Sequence, residues 1–259
     1  MGISSLFMKK LILCSILLSI LTYTSTAQQA AVKNGQPKGK LFIIGGGDRP
    51  DALIQRMISE ASLGVNDYVV ILPMASEEPD SAYFYAQKQF VNAGLKTVKQ
   101  IVSPKHPLLS SSLDSLTKAK LIYISGGDQT RFMNSIEGSK VREMIQKAYQ
   151  NGAMIAGTSA GAAVMSKEMI TGNELLHKEY RSTPQVIEQG NIEIKEGLAL
   201  LTSAVIDQHF LIRSPHNLLL SMIIENPSKK AIGIDESTAI LVKNGLAEVV
   251  GVSQVIVYQ

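Results

Sequence analysis

Short apolar runs alternate with amphipathic segments along most of the chain. Strands are predicted at 40–44, 68–73, 96–101, 119–125, 153–157 and 203–207. Between them, apolar residues recur at helical spacing in 51–61, 80–94 and 139–152, and the last two of these segments end in glycine. This alternation predicts an α/β fold with a doubly wound, mostly parallel sheet.

Two parts of the chain depart from this alternation. Near the C-terminus, short strands separated by turn residues at 231–235, 238–242, 247–251 and 253–258 predict an antiparallel edge or hairpin. Residues 168–195 have no clear period and hold many polar residues. Irregular segments of this length are more often functional or disordered than ordinary connections. We therefore expect either a loop over a site or an insertion there.

The N-terminal residues have the pattern of a secretory signal. Lys9 and Lys10 precede an apolar run at 11–21, and a small-x-small pattern ends at Ala27. The run is too short for a membrane anchor, which needs about 20 residues. We expect a signal peptide at 1–27, a linker at 28–38 and one domain at 39–259, with export to the periplasm or the medium and no membrane attachment after cleavage.

Composition excludes several classes of function. The chain has 25 basic and 22 acidic residues, and the signal carries two of the lysines and no acid, so the mature domain is almost neutral. Such a balance gives no sign of a nucleic-acid surface. The single cysteine, Cys14, lies in the signal, which excludes a cysteine nucleophile, disulfides and thiolate metal sites in the mature chain. An exported protein has no access to the ATP and nicotinamide cofactors of the cytoplasm, so the expected export favours a hydrolase, whose only co-reactant is water.

A serine motif follows the fifth predicted strand. Residues 157–161, Gly-Thr-Ser-Ala-Gly, fit G-x-S-x-G between a strand and a segment of small residues that reads as a helix. This context is typical of a nucleophile elbow, in which Ser159 sits in a strained turn and its neighbours must be small. The alternative is a flexible glycine turn with an idle serine, because short motifs also occur by chance.

A base for the serine is suggested by position. His209 directly follows the sixth predicted strand, so it is expected at the same edge of the sheet as Ser159. Histidine is the usual base because its pKa lies near neutrality. The other histidines of the mature chain lie in loops, in the unpatterned segment or at a helix start. The alternative for His209 is a core histidine bonded to a backbone carbonyl.

The acid of a triad has two candidates. Asp207 is poorly placed, because residues i and i+2 of a strand cannot easily bond ring to carboxylate. Glu236, at the end of the next strand, and Glu174, in the unpatterned segment, are better placed, although both could be surface charges. Glu236 gives the chain order Ser, His, Glu, which differs from the Ser, acid, His order of α/β-hydrolases.

Two glycine turns follow predicted strands. The amide of Ala160 and the Gly126-Gly127 turn are candidates for an oxyanion hole, because glycine lets the backbone approach a ligand; the alternative is that this turn only reverses the chain. The other turn, Gly-Gly-Gly-Asp at 45–48, suggests a dinucleotide loop, but G-x-G-x-x-G requires glycine where Pro50 stands.

The motifs taken together resemble the cyanophycinase family, within the peptidase E group of serine exopeptidases. They are "IIGGG", "LPMASEEP", "SGGDQ", "AGTSAGAAVMS", "DQHF" and "IGIDESTAI", in the family order from residue 40 to about 258. The resemblance implies a fold like class I glutamine amidotransferases, with serine in place of their cysteine. It implies Ser159 as nucleophile, His209 as base and Glu236 as acid, with Glu174 kept as the alternative acid.

The resemblance also bears on the substrate. Family members cut cyanophycin, a polyaspartate with arginine on each side-chain carboxyl, into β-aspartyl-arginine dipeptides. Positions that resemble substrate contacts are Gln129, Asp207, Gln208 and Arg213. Arg213 begins an R-x-R-x-x-R pattern in the family, but here Pro215 and Leu218 occupy its other two positions. Neither can replace the bidentate recognition of carboxylates by arginine.

The resulting hypothesis is a secreted serine exopeptidase that uses an acyl-enzyme and needs no metal or organic cofactor. Its expected partner is a peptide or a cyanophycin-like substrate, and assembly as a homodimer is left open. Three alternatives remain. They are a peptidase E-like dipeptidase for N-terminal aspartyl or isoaspartyl peptides, an esterase of the α/β-hydrolase type, and a binding protein without catalysis.

Overall fold

In the computed structural model, which describes residues 36–101, 110–177, 186–212 and 216–259, a seven-stranded sheet forms the core. Its strands are β1 (Lys40–Ile44), β2 (Val69–Leu72), β3 (Val98–Gln100), β4 (Leu121–Ile124), β5 (Met154–Thr158), β10 (Thr238–Lys243) and β11 (Leu246–Gly251). They are ordered β11-β10-β1-β5-β4-β2-β3. The first five in chain order run parallel, whereas β10 and β11 form an antiparallel edge. The predicted fold class is confirmed.

Helices cover both faces of this sheet. They are α1 (Asp51–Ala61), α2 (Pro79–Asn92), α3 (Ser110–Thr117), α4 (Gln129–Ile136), α5 (Val141–Gln150), α6 (Ala160–Ala163) and α7 (His216–Glu225). Side chains of β1 alternate between the two faces. Leu41 and Ile43 belong to the cluster that includes α5, whereas Phe42 and Ile44 belong to the cluster that includes α1 and α2. Each fully buried side chain of this kind contributes about 1.5–3 kcal/mol.

Two small sheets accompany the central one. A three-stranded sheet contains β8 (Val205–Gln208), β9 (Ala231–Ile234) and β12 (Val255–Tyr258) in the order β12-β9-β8. The strand predicted at 203–207 therefore exists, but it lies outside the central sheet. The other small sheet is an antiparallel pair, β6 (Glu168–Glu174) and β7 (Ile192–Glu196), within the segment that showed no period.

The N-terminal expectations fall outside this description. The predicted signal peptide and most of the linker lie outside the described residues, and they stay predictions. One compact unit runs from Pro37 to Gln259. A search of the described residues finds no helix that is both long and apolar enough to cross a membrane.

Candidate active site

Ser159 occupies a strained turn between β5 and α6. Its backbone has φ 53° and ψ −116°, a conformation that costs a non-glycine residue about 1–3 kcal/mol. Close backbone packing maintains the turn. A Cβ at Gly157 would lie 2.3 Å from the carbonyl oxygen of Gly161, and a Cβ at Gly161 would lie 2.3 Å from that of Ile124. The small residues that bracket the serine are therefore required by packing.

A hydrogen-bonded chain begins at the Ser159 hydroxyl. Ser159 Oγ lies 2.8 Å from His209 Nε2, and His209 Nδ1 lies 2.5 Å from Glu236 Oε1. The His209 side chain is 12% exposed and that of Glu236 is 27% exposed, so solvent can reach the carboxylate more easily than the imidazole. With the Nδ1 proton directed at the carboxylate, Nε2 can accept the serine proton. The geometry suits a nucleophile, a base and an orienting acid.

The structure separates the two candidate acids. Glu174 lies on β6, where its Oε1 accepts a hydrogen bond of 2.6 Å from the Asn191 side chain. It is Glu236, at the end of β9, that reaches the imidazole of His209. The structure thus brings together Ser159, His209 and Glu236, and it does not bring Glu174 to them.

The turn after β1 supports all three segments of this chain. Successive carbonyls of Ile44, Gly45 and Gly46 accept hydrogen bonds from the amides of Ser159, His209 and Ser237, at 3.0, 2.7 and 3.0 Å. Ser237 directly follows Glu236 in the sequence. One short stretch of backbone therefore sets the spacing of the nucleophile, the imidazole and the carboxylate.

The same turn packs against the imidazole and the carboxylate. A Cβ at Gly46 would lie 2.3 Å from Cε1 of His209, and one at Gly47 would lie 2.5 Å from Oε2 of Glu236. Both glycines also have positive φ, +118° and +65°. The sequence suggested this turn as a dinucleotide loop that lacks its last glycine, and as part of the family motif "IIGGG". Its placement against His209 and Glu236 was missed, and the run of three glycines was the available signal.

Asp235 is a second residue that sequence reasoning missed. It is 6% exposed, and its carboxylate accepts hydrogen bonds from the Leu211 amide at 3.1 Å and from Ser253 Oγ at 2.5 Å. Burial raises the pKa of Asp235, but these hydrogen bonds and that from the Glu236 amide outweigh it, so the net pKa is lowered. The available signal was an acid directly before Glu236 in "GIDES".

The candidate oxyanion groups lie on both sides of the serine. Ala160 begins α6, and a Cβ at Gly126 would lie 3.4 Å from Ser159 Cβ. Within the described residues, the amides of Gly126 and Ala160 donate no backbone hydrogen bond. Gly127 has φ +138°, and a Cβ there would lie 2.2 Å from the carbonyl oxygen of Ala75. The amides of Gly126 and Ala160 thus remain the candidates for an oxyanion hole, whereas Gly127 is required by packing.

Gln129 is engaged within the fold. It is 8% exposed, and its side-chain Nε2 donates to the carbonyls of Ile170 and Thr171 at 3.1 and 2.8 Å. These carbonyls belong to β6, so Gln129 attaches the turn after β4 to the β6–β7 pair. Gln129, which the sequence predicted as a substrate contact, therefore uses its side-chain amide to hold two elements of the fold together.

The other predicted substrate contacts have different surroundings. Gln208 Oε1 lies 3.2 Å from Ser159 Oγ and can accept from the hydroxyl, so its amide faces the nucleophile. Asp207 is 6% exposed, and its Oδ1 accepts from the amide of Gln208 at 2.9 Å. Arg213 lies outside the described residues, so its role as a substrate contact stays a prediction.

Solved structures similar to this chain share its fold. A peptidase from an acI-B1 actinobacterium superposes with a TM-score of 0.65 at 22% identity, over 84% of this chain and 89% of that one. A peptidase E-like protein from Listeria monocytogenes gives a TM-score of 0.58 at 18% identity, over 83% and 99%. At these identities the comparison supports the architecture alone.

Sequence relatives carry the name cyanophycinase. The protein from Nostoc sp. is 31% identical over 188 residues, which are 71% of this chain and 60% of the relative. The protein from Geminocystis herdmanii is 28% identical over 222 residues, which are 83% of this chain and 78% of the relative. The model of peptidase family S51 matches residues 41–250. The chain therefore belongs to peptidase family S51, a family of serine-type peptidases, as the motifs predicted.

Proposed function

We propose that this chain is an exported serine exopeptidase that hydrolyses cyanophycin to β-aspartyl-arginine dipeptides. The observation that carries the proposal is the hydrogen-bonded chain from Ser159 through His209 to Glu236. The cyanophycinase name of the relatives supports the substrate. The basic and apolar pattern of residues 1–21 supports export. N-terminal sequencing of the exported protein, expected to begin at Gln28, tests that part.

The proposed reaction begins at the serine hydroxyl. His209 Nε2 accepts the proton of Ser159 Oγ while that oxygen attacks the scissile carbonyl carbon. Glu236 keeps the imidazole in the tautomer that can accept this proton and stabilises the imidazolium that forms. The amides of Ala160 and Gly126 donate to the oxygen of the tetrahedral intermediate.

Two further proton transfers complete the cycle. The imidazolium gives its proton to the leaving nitrogen as the C–N bond breaks, and an ester of Ser159 remains. Water then attacks the ester while His209 takes one of its protons, and the return of that proton to Oγ releases the acid product. Atoms balance with water as the only co-reactant.

A groove begins at Asp128, directly after the Gly126-Gly127 turn, and its lining does not include Ser159, His209 or Glu236. This open groove of about 880 Å³ is lined by polar residues that include Ser76, Asp128 and Arg131. Arg131 is already engaged, because its guanidinium donates to the Ala75 carbonyl and pairs with Glu77. The groove is within the size range of ligand sites in proteins.

The test compares residues 28–259 with Ser159→Ala, each incubated with insoluble cyanophycin while mass spectrometry follows β-aspartyl-arginine. Release by the parent and a loss of about 10³-fold or more in the variant are expected. Glu236→Gln should lower kcat by about 10³- to 10⁴-fold because the imidazole loses its orienting partner. The matched change Glu174→Gln should leave kcat within about twofold, since Glu174 bonds Asn191. Equal losses in both variants would contradict the assignment of Glu236.

A second candidate is favoured by the residues after His209. Pro215 and Leu218 stand where the cyanophycinase pattern has arginine, and an enzyme with fewer carboxylate contacts could act on short substrates. A peptidase E-like dipeptidase would cleave aspartyl or isoaspartyl dipeptides and leave cyanophycin intact. Failure of the folded parent to react with a serine-directed fluorophosphonate would instead favour a binding protein without catalysis.

A further inference from the structure

Asp235 lies directly beside the acid of the proposed triad, and its carboxylate is bonded elsewhere. It accepts hydrogen bonds from the Leu211 amide and the Ser253 hydroxyl, and a further one from the Glu236 amide. Leu211 is two residues after His209, so the carboxylate connects the segment that carries the imidazole with the strand end that carries Glu236. Burial makes this connection strong, because solvent competes poorly for a carboxylate that is 6% exposed.

A ring of polar contacts extends from Asp235 around Glu236. Ser253, which donates to Asp235 through its hydroxyl, donates through its amide to Thr238 Oγ1 at 2.9 Å. Thr238 Oγ1 in turn donates to the Glu236 carbonyl at 3.1 Å, and Thr238 is fully buried. The main chain of Glu236 is thereby fixed on both sides. A glutamate side chain has several rotatable bonds, so a fixed main chain narrows the positions that its carboxylate can reach.

The segment after β8 needs such a restraint. His209 has φ 53°, a positive value that is uncommon for residues other than glycine and that the surrounding structure must maintain. The Gly45 carbonyl holds its amide at 2.7 Å on one side. The bond from Asp235 to the Leu211 amide restrains the following residues on the other side.

We propose that Asp235 is a positioning residue that acts through Glu236: it keeps the Glu236 carboxylate at Nδ1 of His209. The inference rests on the proposed function, because it assumes that Ser159 is activated by this chain of bonds. A displacement of about 1 Å in such a constellation can cost about 10²-fold in rate. Asp235 itself touches neither the substrate nor Ser159.

The test measures the reaction of Ser159 with a fluorophosphonate, whose maximal rate, kinact, reports the activation of the nucleophile without any assumption about the peptide substrate. Asp235→Ala should lower kinact by about 10- to 100-fold and leave the half-saturating concentration, KI, unchanged. Asp235→Asn should retain most of the rate, because an amide can still accept from Leu211 and can donate to Ser253.

A double-mutant cycle separates positioning from a general loss of stability. In the Glu236→Gln background, Asp235→Ala should lower kinact by much less than in the parent, because the effect through Glu236 is already lost and only the restraint through the Leu211 amide is removed. Ile145→Val, a buried change in α5 that costs about 0.5–1.5 kcal/mol, should leave kinact unchanged in either background. Equal effects of Asp235→Ala in both backgrounds, with a reactive parent, would overturn the inference and leave the proposed function standing. An inert, folded parent would overturn both.

Discussion

Two glycine turns flank Ser159, one on each side of the strand that precedes it. The order β1-β5-β4 places β5 between the other two strands. The turn after β1, Gly45–Gly47, contacts the imidazole and the carboxylate. The turn after β4, Gly126–Gly127, has its first residue beside the serine and its second against the Ala75 carbonyl. Both are runs of glycine that follow a buried parallel strand, three residues in the first turn and two in the second, yet they serve different purposes.

The difference lies in which atoms of each turn are engaged. In the first turn the carbonyls accept hydrogen bonds, and the missing side chains leave room for His209 and Glu236. In the second turn, among the described residues, the amide of Gly126 donates no backbone hydrogen bond. The first turn therefore fixes the residues that move protons, whereas the second leaves space and a donor for the substrate. A run of glycines after a buried strand thus has a different structural role in each of the two turns.

The largest effect that separates the turns is expected from Gly46→Ala. The new Cβ would lie 2.3 Å from the His209 ring, so the imidazole must move away from Ser159. We expect a loss of about 10⁴-fold in kcat, close to that of removing the base. Gly94→Ala is the matched control, because Gly94 also has positive φ, +93°, but nothing lies within 4 Å of its Cβ position. It should lower the unfolding free energy by about 1 kcal/mol and leave kcat unchanged. Similar kcat losses in both variants would show that the contact of the first turn with His209 is not the cause of the loss.

Gly126→Ala is expected to have a smaller effect, on activity alone. The new Cβ would meet Ser159 Cβ at 3.4 Å and Oγ at 3.9 Å, which are ordinary contacts, so the unfolding free energy should change by less than about 0.5 kcal/mol. The methyl group would occupy space beside the oxyanion amides, and kcat/KM should fall about tenfold. Gly127→Ala should show the reverse, a lower melting temperature, because its Cβ would overlap the Ala75 carbonyl. A destabilised Gly126→Ala would contradict the distinction.

Local sequence located the strands and the Ser159 turn, but not the contacts of the first glycine turn. Strand periodicity and the G-x-S-x-G motif depend on neighbouring residues, and they located β1 to β5 and the Ser159 turn. The contacts of Gly46 with His209 and of Glu236 with His209 join parts of the chain 163 and 27 residues apart. No local pattern encodes such contacts, and so the sequence left two candidate acids open.

The β6–β7 pair was missed for a different reason. Its register shifts between Ile170 and Glu174, and Gly172 there has φ +88°. Such an irregularity breaks the alternation by which a strand is recognised in sequence. Gln129 then bonds carbonyls at this irregularity, and the motif alone predicted a substrate contact for it. The sequence therefore missed the β6–β7 pair because of its irregular register, and it missed the structural role of Gln129 because that role depends on a contact with this pair.

The smallest expected effect is on the pH dependence of the unfolding free energy, and it comes from Asp235, which lies next to Glu236 in the sequence. The pKa of Asp235 is lowered in the folded protein: burial raises it, but the bonds from Ser253 and the Leu211 amide outweigh that effect. An acid whose folded pKa is depressed contributes stability that is complete above its unfolded pKa, about 3.9, and is lost as the pH falls through the folded value.

Asp235→Asn should therefore lower the unfolding free energy by about 1 kcal/mol near neutral pH, and this difference from the parent should shrink at acid pH. Urea unfolding of both proteins between about pH 7 and about pH 3 measures the difference directly. The comparison at each pH cancels the contributions of carboxylates that do not contact Asp235. Ser253→Ala removes one of the bonds that lower the pKa, and it should reduce the pH dependence without abolishing it. A difference between the parent and Asp235→Asn that stayed constant over this range would contradict this prediction. The charge of the Asp235 carboxylate would then not stabilise the segments that carry His209 and Glu236. The two glycine turns would in that case differ in packing alone.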